Sequence, residues 1–393
     1  MPTLLTIRSK GLTLQHDDFV RHMKEHGSGV YGERRHWLGK KIDYVLLLLL
    51  LMLMGVGLAV LYSASGRTLA VVERQLVYML IGLGAMVAVA QVPVRFLERW
   101  AILPYLAGLG LLVAVLLFGD GAKGARRWLD LGIVRFQPSE ILKIAVPLMV
   151  ASFLSRQLLP PRFEHVVVAV LLAVVPAALV IAQPDLGTAL LIAISGLFVL
   201  FLAGLGKRYI LGVVLAAMVT APPFWIYVLH DYQKQRILTL LDPQSDKLGA
   251  GWNIIQSTTA IGSGGMHGKG WFGGTQSQLD FLPESHTDFI IAVLAEEFGL
   301  IGVMLLLLLY VLIVSRGVII SLRAQSMFGR LLAGSITLTF FVYVFVNMGM
   351  VSGLLPVVGV PLPLVSYGGT AIVTLMLGFG MLMAVSTEKK RLV

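Results

Sequence analysis

The sequence predicts an all-α polytopic membrane protein of about ten transmembrane helices, with a long extracytoplasmic loop between the seventh and the eighth. Three observations predict it. The 393 residues are 57% hydrophobic and 13% charged, whereas soluble domains run near half apolar and about a quarter charged. Long apolar runs recur along the chain, and inside a bilayer a helix satisfies its own backbone polar groups. Lys and Arg are also unevenly divided between the connections. With the N-terminus inside, twenty fall on inner segments and ten on outer ones, so both termini are expected to be cytoplasmic.

The spans follow in order as 43–62, 74–92, 100–118, 138–155, 165–182, 186–204, 208–229, 288–314, 328–352 and 366–386. Each is close to the length a bilayer core requires. The fifth and sixth are separated only by Gln183-Pro184-Asp185-Leu186, a tight turn. Residues 1–41 form a basic tail without an apolar signal core or a small-residue cleavage site, so the first apolar run is read as a signal-anchor. The tail itself suits contact with anionic headgroups. The membrane domain is 42–387, its large outer loop 230–287, and 388–393 the cytoplasmic C-terminus. The net charge of +10 is therefore a membrane-topology signal and gives no case for nucleic acid as a partner. With no cysteine, disulfides, thiolate nucleophiles and Cys-ligated metals are excluded.

Charges that oppose this pattern mark candidate chemistry. Lys123, Arg126, Arg127 and Arg135 crowd one short outer loop, against the positive-inside tendency. They either bind an anion such as phosphate or pair locally with Asp120, Asp130 and Glu140. Glu140 and Lys143, three apart at the start of the fourth span, share a helix face. They are a structural ion pair or part of a site. Asp185 either caps the sixth span or faces a cavity as a metal or substrate ligand. The outer loop, over fifty residues long, exceeds an ordinary connector. It carries two glycine-rich strings, GSGG at 262–265 and GKGWFGG at 268–274. These lack the lysine spacing of a P-loop. Lys269 in the second string joins the substrate-binding set.

The loop ends in Ser285-His286-Thr287-Asp288-Phe289. Thr287 reads as the N-cap of the eighth span and Asp288 as a member of its first turn, where the helix dipole keeps a carboxylate ionised. Asp288 is thus a candidate base, or simply part of a good helix start. Glu296 and Glu297 lie about two turns deeper and are expected to face the bundle, paired or protonated. His267 and His286 are isolated and lack metal-site spacing. Residues 353–369, GLLPVVGVPLPLVSYGG, are apolar yet too rich in Pro and Gly for a regular helix. Such a broken backbone is tolerated at membrane depth where it lines a cavity or is buried in protein.

The strings ARRWLDLGIVRFQPSE (125–140), QPDLGTALL (183–191), DPQSDKLGAGWNIIQS (242–257), FLPESHTDFIIAVLAEEFG (281–299) and PLVSYGGTA (363–371) resemble the SEDS family. This is the family of shape, elongation, division and sporulation proteins, which includes RodA and FtsW. The likeness runs from about 42 to 387. HDYQKQRILTLLDP (230–243) and WLDLGIVRFQPSEILKIAVPLMVA (128–151) place it nearest the RodA branch, although the N-terminal tail is longer than that branch leads one to expect.

The resemblance implies a peptidoglycan glycosyltransferase of the cytoplasmic membrane. It would polymerise lipid II on the outer face, invert the sugar linkage and release undecaprenyl diphosphate. The family's essential aspartate falls on Asp288, and its sensitive positions fall on Arg126, Glu140, Lys143 and Asp185. Lys123 and Arg127 are the neighbours that would help to steer diphosphate. Asp185 would help to hold a divalent cation, Mg or Mn. The implied partners are a class B penicillin-binding transpeptidase and the proteins of the rod-shape elongation complex. Two other function classes suit the same outline: a lipid II flippase, and a non-catalytic scaffold for the transpeptidase. The short inner loops and the lack of similarity between the two halves speak against an alternating-access carrier.

Overall fold

The computed structural model describes residues 41–118, 120–122, 125–130, 135–246, 249–278 and 284–388. The basic tail through Lys40, Lys123 and the C-terminal basic cluster lie outside them. Residues Ile42–Val393 form one compact unit.

Ten helices correspond to the ten expected spans. They are α1 (Tyr44–Ala64), α2 (Leu69–Ala90), α4 (Ile102–Phe118), α5 (Pro138–Leu154), α6 (Phe163–Ile181), α7 (Leu186–Leu202), α8 (Lys207–Pro223), α12 (Ile290–Arg323), α13 (Met327–Val351) and α14 (Gly369–Ser386). Seven are long and apolar enough to cross a membrane by themselves, counting α8 with its continuation to Val228. Two more, α4 and α7, are shorter apolar helices. The tenth, α5, carries Glu140, Lys143 and an internal Pro147, and its apolar remainder is buried in protein.

Local chemistry sets the ends. Asp43 caps α1 by accepting the Leu46 N–H at 3.1 Å, and Asp185 caps α7 through the Thr188 N–H at 3.2 Å. Pro138 opens α5, where its missing N–H is no loss. Tight packing lies between α2 and α14, α6 and α7, and α12 and α13. Small residues permit the approach: a Cβ on Gly380 of α14 would come within 2.6 Å of the Met86 carbonyl oxygen on α2. In contrast, α8 stands at the edge with none of its described side chains buried. It continues through a π-helical turn, Phe224–Val228.

Three features depart from the expected outline. A short α3 (Val94–Arg99) precedes α4. The basic outer loop forms a small antiparallel sheet in the order β1 (Asp120–Ala122), β2 (Ala125–Asp130) and β3 (Arg135–Phe136), so the fold is helical with one β excursion. Much of the long outer loop is helical as well: α9 (Asp231–Leu241), a 3₁₀ turn (Pro243–Asp246), α10 (Ala250–Gly264) and the single turn α11 (Thr275–Gln278). The GSGG string is the end of α10 rather than a free loop.

The segment between α13 and α14 runs without regular structure through residues 353–368, as its prolines and glycines require. Its backbone groups are met by side chains from surrounding helices. Gln75 Nε2 donates to the Ser366 carbonyl at 2.9 Å and Gln75 Oε1 accepts from the Gly368 N–H at 3.3 Å. The Tyr310 hydroxyl donates to the Pro363 carbonyl at 2.7 Å. These bonds replace the internal ladder that an irregular segment lacks.

Candidate active site

A cavity of about 540 Å³ opens where α5, α7, α9, α13, α14 and the irregular segment meet the turn before α12. Gln137, Glu140, Lys143, Asp185 and Asp288 all line it. The sequence thus places four of its candidate residues on one wall system, drawn from three separate stretches of chain.

The ambiguous groups show the structural reading, ion pair or cap, and also line the cavity. Lys143 Nζ lies 2.6 Å from Glu140 Oε1 and 5.4 Å from the centre of the Tyr343 ring. It is a true ion pair, and it faces the cavity. Asp185 caps α7 and also accepts from Gln137 Nε2 at 3.2 Å, which ties the start of α7 to the start of α5. Arg126 and Arg127 have their backbone in β2, and Lys123 lies outside the described residues. Lys269 does not line the cavity. Its ammonium pairs with the fully buried Glu296 at 2.7 Å and donates to the Thr275 hydroxyl at 2.9 Å. Glu296 therefore turns inward and is paired, as expected, and Glu297 accepts from the Ser63 hydroxyl.

Asp288 differs from the expected helix start. Residues 284–289 close as a turn in which the Thr287 and Phe289 N–H groups donate to the Glu284 carbonyl at 3.1 and 3.4 Å. The helix consequently begins at Ile290, with Phe289 as its cap and no acidic residue in its first turn. Asp288 sits just outside, in the cavity wall. Its carboxyl is not held low by a helix dipole. Burial first, and the negative charge of Glu284 second, push it up to about 6 against the pull of Arg236. A carboxylate near this value is a stronger base than an ordinary aspartate and is still ionised at neutral pH.

Beside the carboxylate the wall is bare backbone. Gly359 has φ +77°, and a Cβ built there would lie 3.5 Å from Asp288 Oδ2. With no side chain at 359, only backbone faces this carboxylate oxygen there.

The family model for cell cycle proteins of the FtsW, RodA and SpoVE type matches residues 43–391. The chain belongs to this FtsW/RodA/SpoVE family. Among its relatives, the peptidoglycan glycosyltransferase MrdB of Escherichia coli K12 is 56% identical over 356 residues, covering 91% of this chain and 96% of the relative. The probable peptidoglycan glycosyltransferase FtsW of Geobacter metallireducens is 38% identical over 367 residues, covering 89% and 96%. Among solved structures, one chain comes from work on the structural coordination of polymerization and crosslinking by a peptidoglycan synthase complex. It matches with a TM-score of 0.78 at 31% identity, over 88% of this chain and 97% of that one. The rod shape determining protein RodA of Thermus thermophilus matches with a TM-score of 0.67 at 29% identity, over 88% and 96%.

In this FtsW/RodA/SpoVE member the sequence reading missed several residues of the site. Arg236 and Gln233 reach the cavity from α9, and Tyr343 from α13. Arg236 counted only as one of the ten outer charges, because nothing in its neighbours marks a helix that folds back over Asp288. Asn347, an amide in the middle of an apolar run, carried a signal that a search confined to charges passed over.

Proposed function

We propose that this chain is a peptidoglycan glycosyltransferase that polymerises lipid II at the outer face of the cytoplasmic membrane during cell elongation, with Asp288 as its general base. Family membership and the activity named for the 56% identical relative support the activity. The observation that carries the base assignment is a partly buried carboxylate in a cavity wall, pushed up to about 6.

The 4-hydroxyl of the acceptor sugar is a poor nucleophile. Asp288 takes its proton as the oxygen bonds to the anomeric carbon of the donor, and the bond from that carbon to the diphosphate breaks. One displacement on an α-linked diphosphate gives an inverted, β-linked product. The leaving diphosphate needs cations. Arg236 and Lys143 line the same cavity as the base, and the basic segment with Lys123, Arg126 and Arg127 would steer the diphosphate towards it. Glu140 keeps Lys143 in place, while Lys269 is left to the outer loop.

A divalent cation finds no ready cage among the described residues. Among the described residues no three His, Cys, Asp or Glu groups converge, and each Asp185 oxygen accepts one hydrogen bond with a lone pair left over for a cation. A Mg or Mn ion there would draw most of its ligands from the diphosphate and water. The proposal includes a class B penicillin-binding transpeptidase as partner, in line with the matched chain from a polymerization and crosslinking complex. It also includes the rod-shape elongation proteins, and both termini on the cytoplasmic side.

The test is lipid II polymerisation by purified protein, wild type against Asp288→Asn, with and without divalent cation and the transpeptidase. Glycan strands from wild type and a loss of about 100-fold or more in the variant are expected. Strand synthesis by Asp288→Asn near the wild-type rate would remove the base assignment.

A further inference from the structure

The turn that carries Asp288 is held from the far end of the chain. Three consecutive carbonyls accept bonds from the α13 region and the segment after it. The Tyr367 N–H donates to His286 at 2.9 Å, the Ser366 hydroxyl to Thr287, and Asn347 Nδ2 to Asp288 at 2.9 Å. The Asn347 amide also donates to the Val360 carbonyl at 2.7 Å. Ser366 Oγ in turn accepts the Leu362 N–H at 2.8 Å.

Val360 follows Gly359, the bare backbone beside the Asp288 carboxylate. One side chain therefore grips the backbone of the base and the backbone of the wall that faces it. Asn347 is fully buried in an apolar stretch of α13, and its Oδ1 has no hydrogen-bond partner among the described residues. A buried amide with an unmet acceptor is a poor choice for stability alone.

We infer that Asn347, assisted by Ser366, is a positioning residue that sets the distance between the Asp288 carboxylate and the Gly359 wall, where the acceptor hydroxyl must lie. This rests on the reading of Asp288 as the base. Such a residue acts on the geometry of proton transfer and leaves substrate affinity to the other walls. A misplacement of about 1 Å at the reacting atoms lowers turnover by roughly 100-fold.

The experiment measures kcat and KM for lipid II with the full-length protein and four variants, Asp288→Asn among them, with thermal unfolding of each in the same detergent. Asn347→Leu keeps the branched outline, with bulkier methyl ends, and removes both donations; kcat is expected to fall about 10- to 100-fold with KM within roughly two-fold. Ser366→Ala, a milder change, should lower kcat in the same sense. Ser257→Ala is the comparison: it removes a buried hydroxyl that donates to the Val351 carbonyl at 2.9 Å, at the end of the same helix but away from the base. It should leave kcat unchanged.

Wild-type kcat in Asn347→Leu and Ser366→Ala, with Asp288→Asn inactive, overturns the positioning role and spares the base. An equal loss in Ser257→Ala overturns it too, because the effect would then be general weakening of α13. If Asn347→Leu does not fold, Ser366→Ala decides alone, and an unchanged kcat there overturns the role. Activity in Asp288→Asn overturns the base reading, and this inference falls with it.

Discussion

A carboxylate that must accept a proton in water-poor surroundings works best when its charged form is slightly disfavoured. Asp288 meets that condition through burial and Glu284, moderated by Arg236. The expected consequence is an acid limb in kcat/KM near pH 6, below which activity falls about ten-fold per pH unit. Glu284→Gln removes a like charge and should move the limb down; Arg236→Gln removes an opposite charge and should move it up, each by up to about one unit. Glu140, Lys143, Asp185 and Tyr343 share the cavity, but the Glu140–Lys143 pair is internally neutral. A limb near 4, or one that ignores both substitutions, would contradict the assignment. Stability follows the same linkage. The folded value, about 6, lies above the ordinary 3.8, so the fold favours the protonated form. That contribution is complete below the ordinary value and is lost as pH rises through the folded one. At neutral pH the Asp288→Asn protein, neutral and of the same shape, should therefore unfold at the wild-type temperature or up to a few degrees above it.

Among the elements, α12 shows how the outer loop is fastened above the site. At Gly299 the helix is interrupted, with φ 65° and ψ −163°. The bonds that Leu300 and Ile301 N–H would make to the Glu296 and Glu297 carbonyls are opened, and a strand of loop is let in. Leu300 and Ile301 donate instead to Gly265 and Met266 at 2.9 and 3.2 Å, while Lys269 and Gly270 donate to Glu296 and Glu297 at 2.9 Å each. The Glu296 carboxylate adds Lys269, Thr275 and Gln276. Gly299→Ala should break this join: a Cβ there would meet Gly268 N at 2.4 Å, on a backbone that strains any side chain. The expected loss is about 2 kcal/mol or more, with faster hydrogen exchange or proteolysis confined to residues 264–276. Unchanged protection of that stretch would show that the join does not hold the loop. This device explains what was legible beforehand. The run 102–118 was expected as 100–118, because apolar length by itself announces a membrane helix. Helix α10 lay hidden in a glycine-rich stretch, because its helicity depends on docking against α12. The segment 353–369 was readable as broken backbone, either lining a cavity or buried in protein, but its grip on Asp288 was not. That grip joins residues 59 apart in the chain, and no local pattern records such a pairing.

For the molecule as a whole, α12, which follows Asp288, and α14, which lines the cavity, are fastened to one bundle. Helix α1 joins the two at one end, and at the other it holds α12 and the turn before it. At one end, Asp43 accepts from Arg316 of α12 at 2.7 Å and from Ser386 of α14 at 2.7 Å. At the other, Ser63 donates to Glu297 of α12, and Ser285, three residues before the base, donates to the Ala64 carbonyl at 3.2 Å. Burial by itself would push the Asp43 carboxyl up, but the bonds from Arg316, Ser386 and the Leu46 N–H outweigh it and hold the group below its ordinary value. Its contribution is thus present above the ordinary carboxylate range and lost only as pH falls through the lowered one; near neutrality the clamp is fully engaged. Removing Asp43, 5% exposed, strands Arg316, and breaking a buried pair in this way costs about 3 kcal/mol. Asp43→Ala should therefore lower the unfolding temperature in detergent by several degrees. Because the site sits at the opposite end of α1, lipid II turnover per folded molecule should stay within roughly two-fold of wild type at temperatures where both proteins are folded. If instead turnover falls in step with the loss at Asp288→Asn while the unfolding temperature is unchanged, the clamp sets the geometry of the site rather than the stability of the bundle.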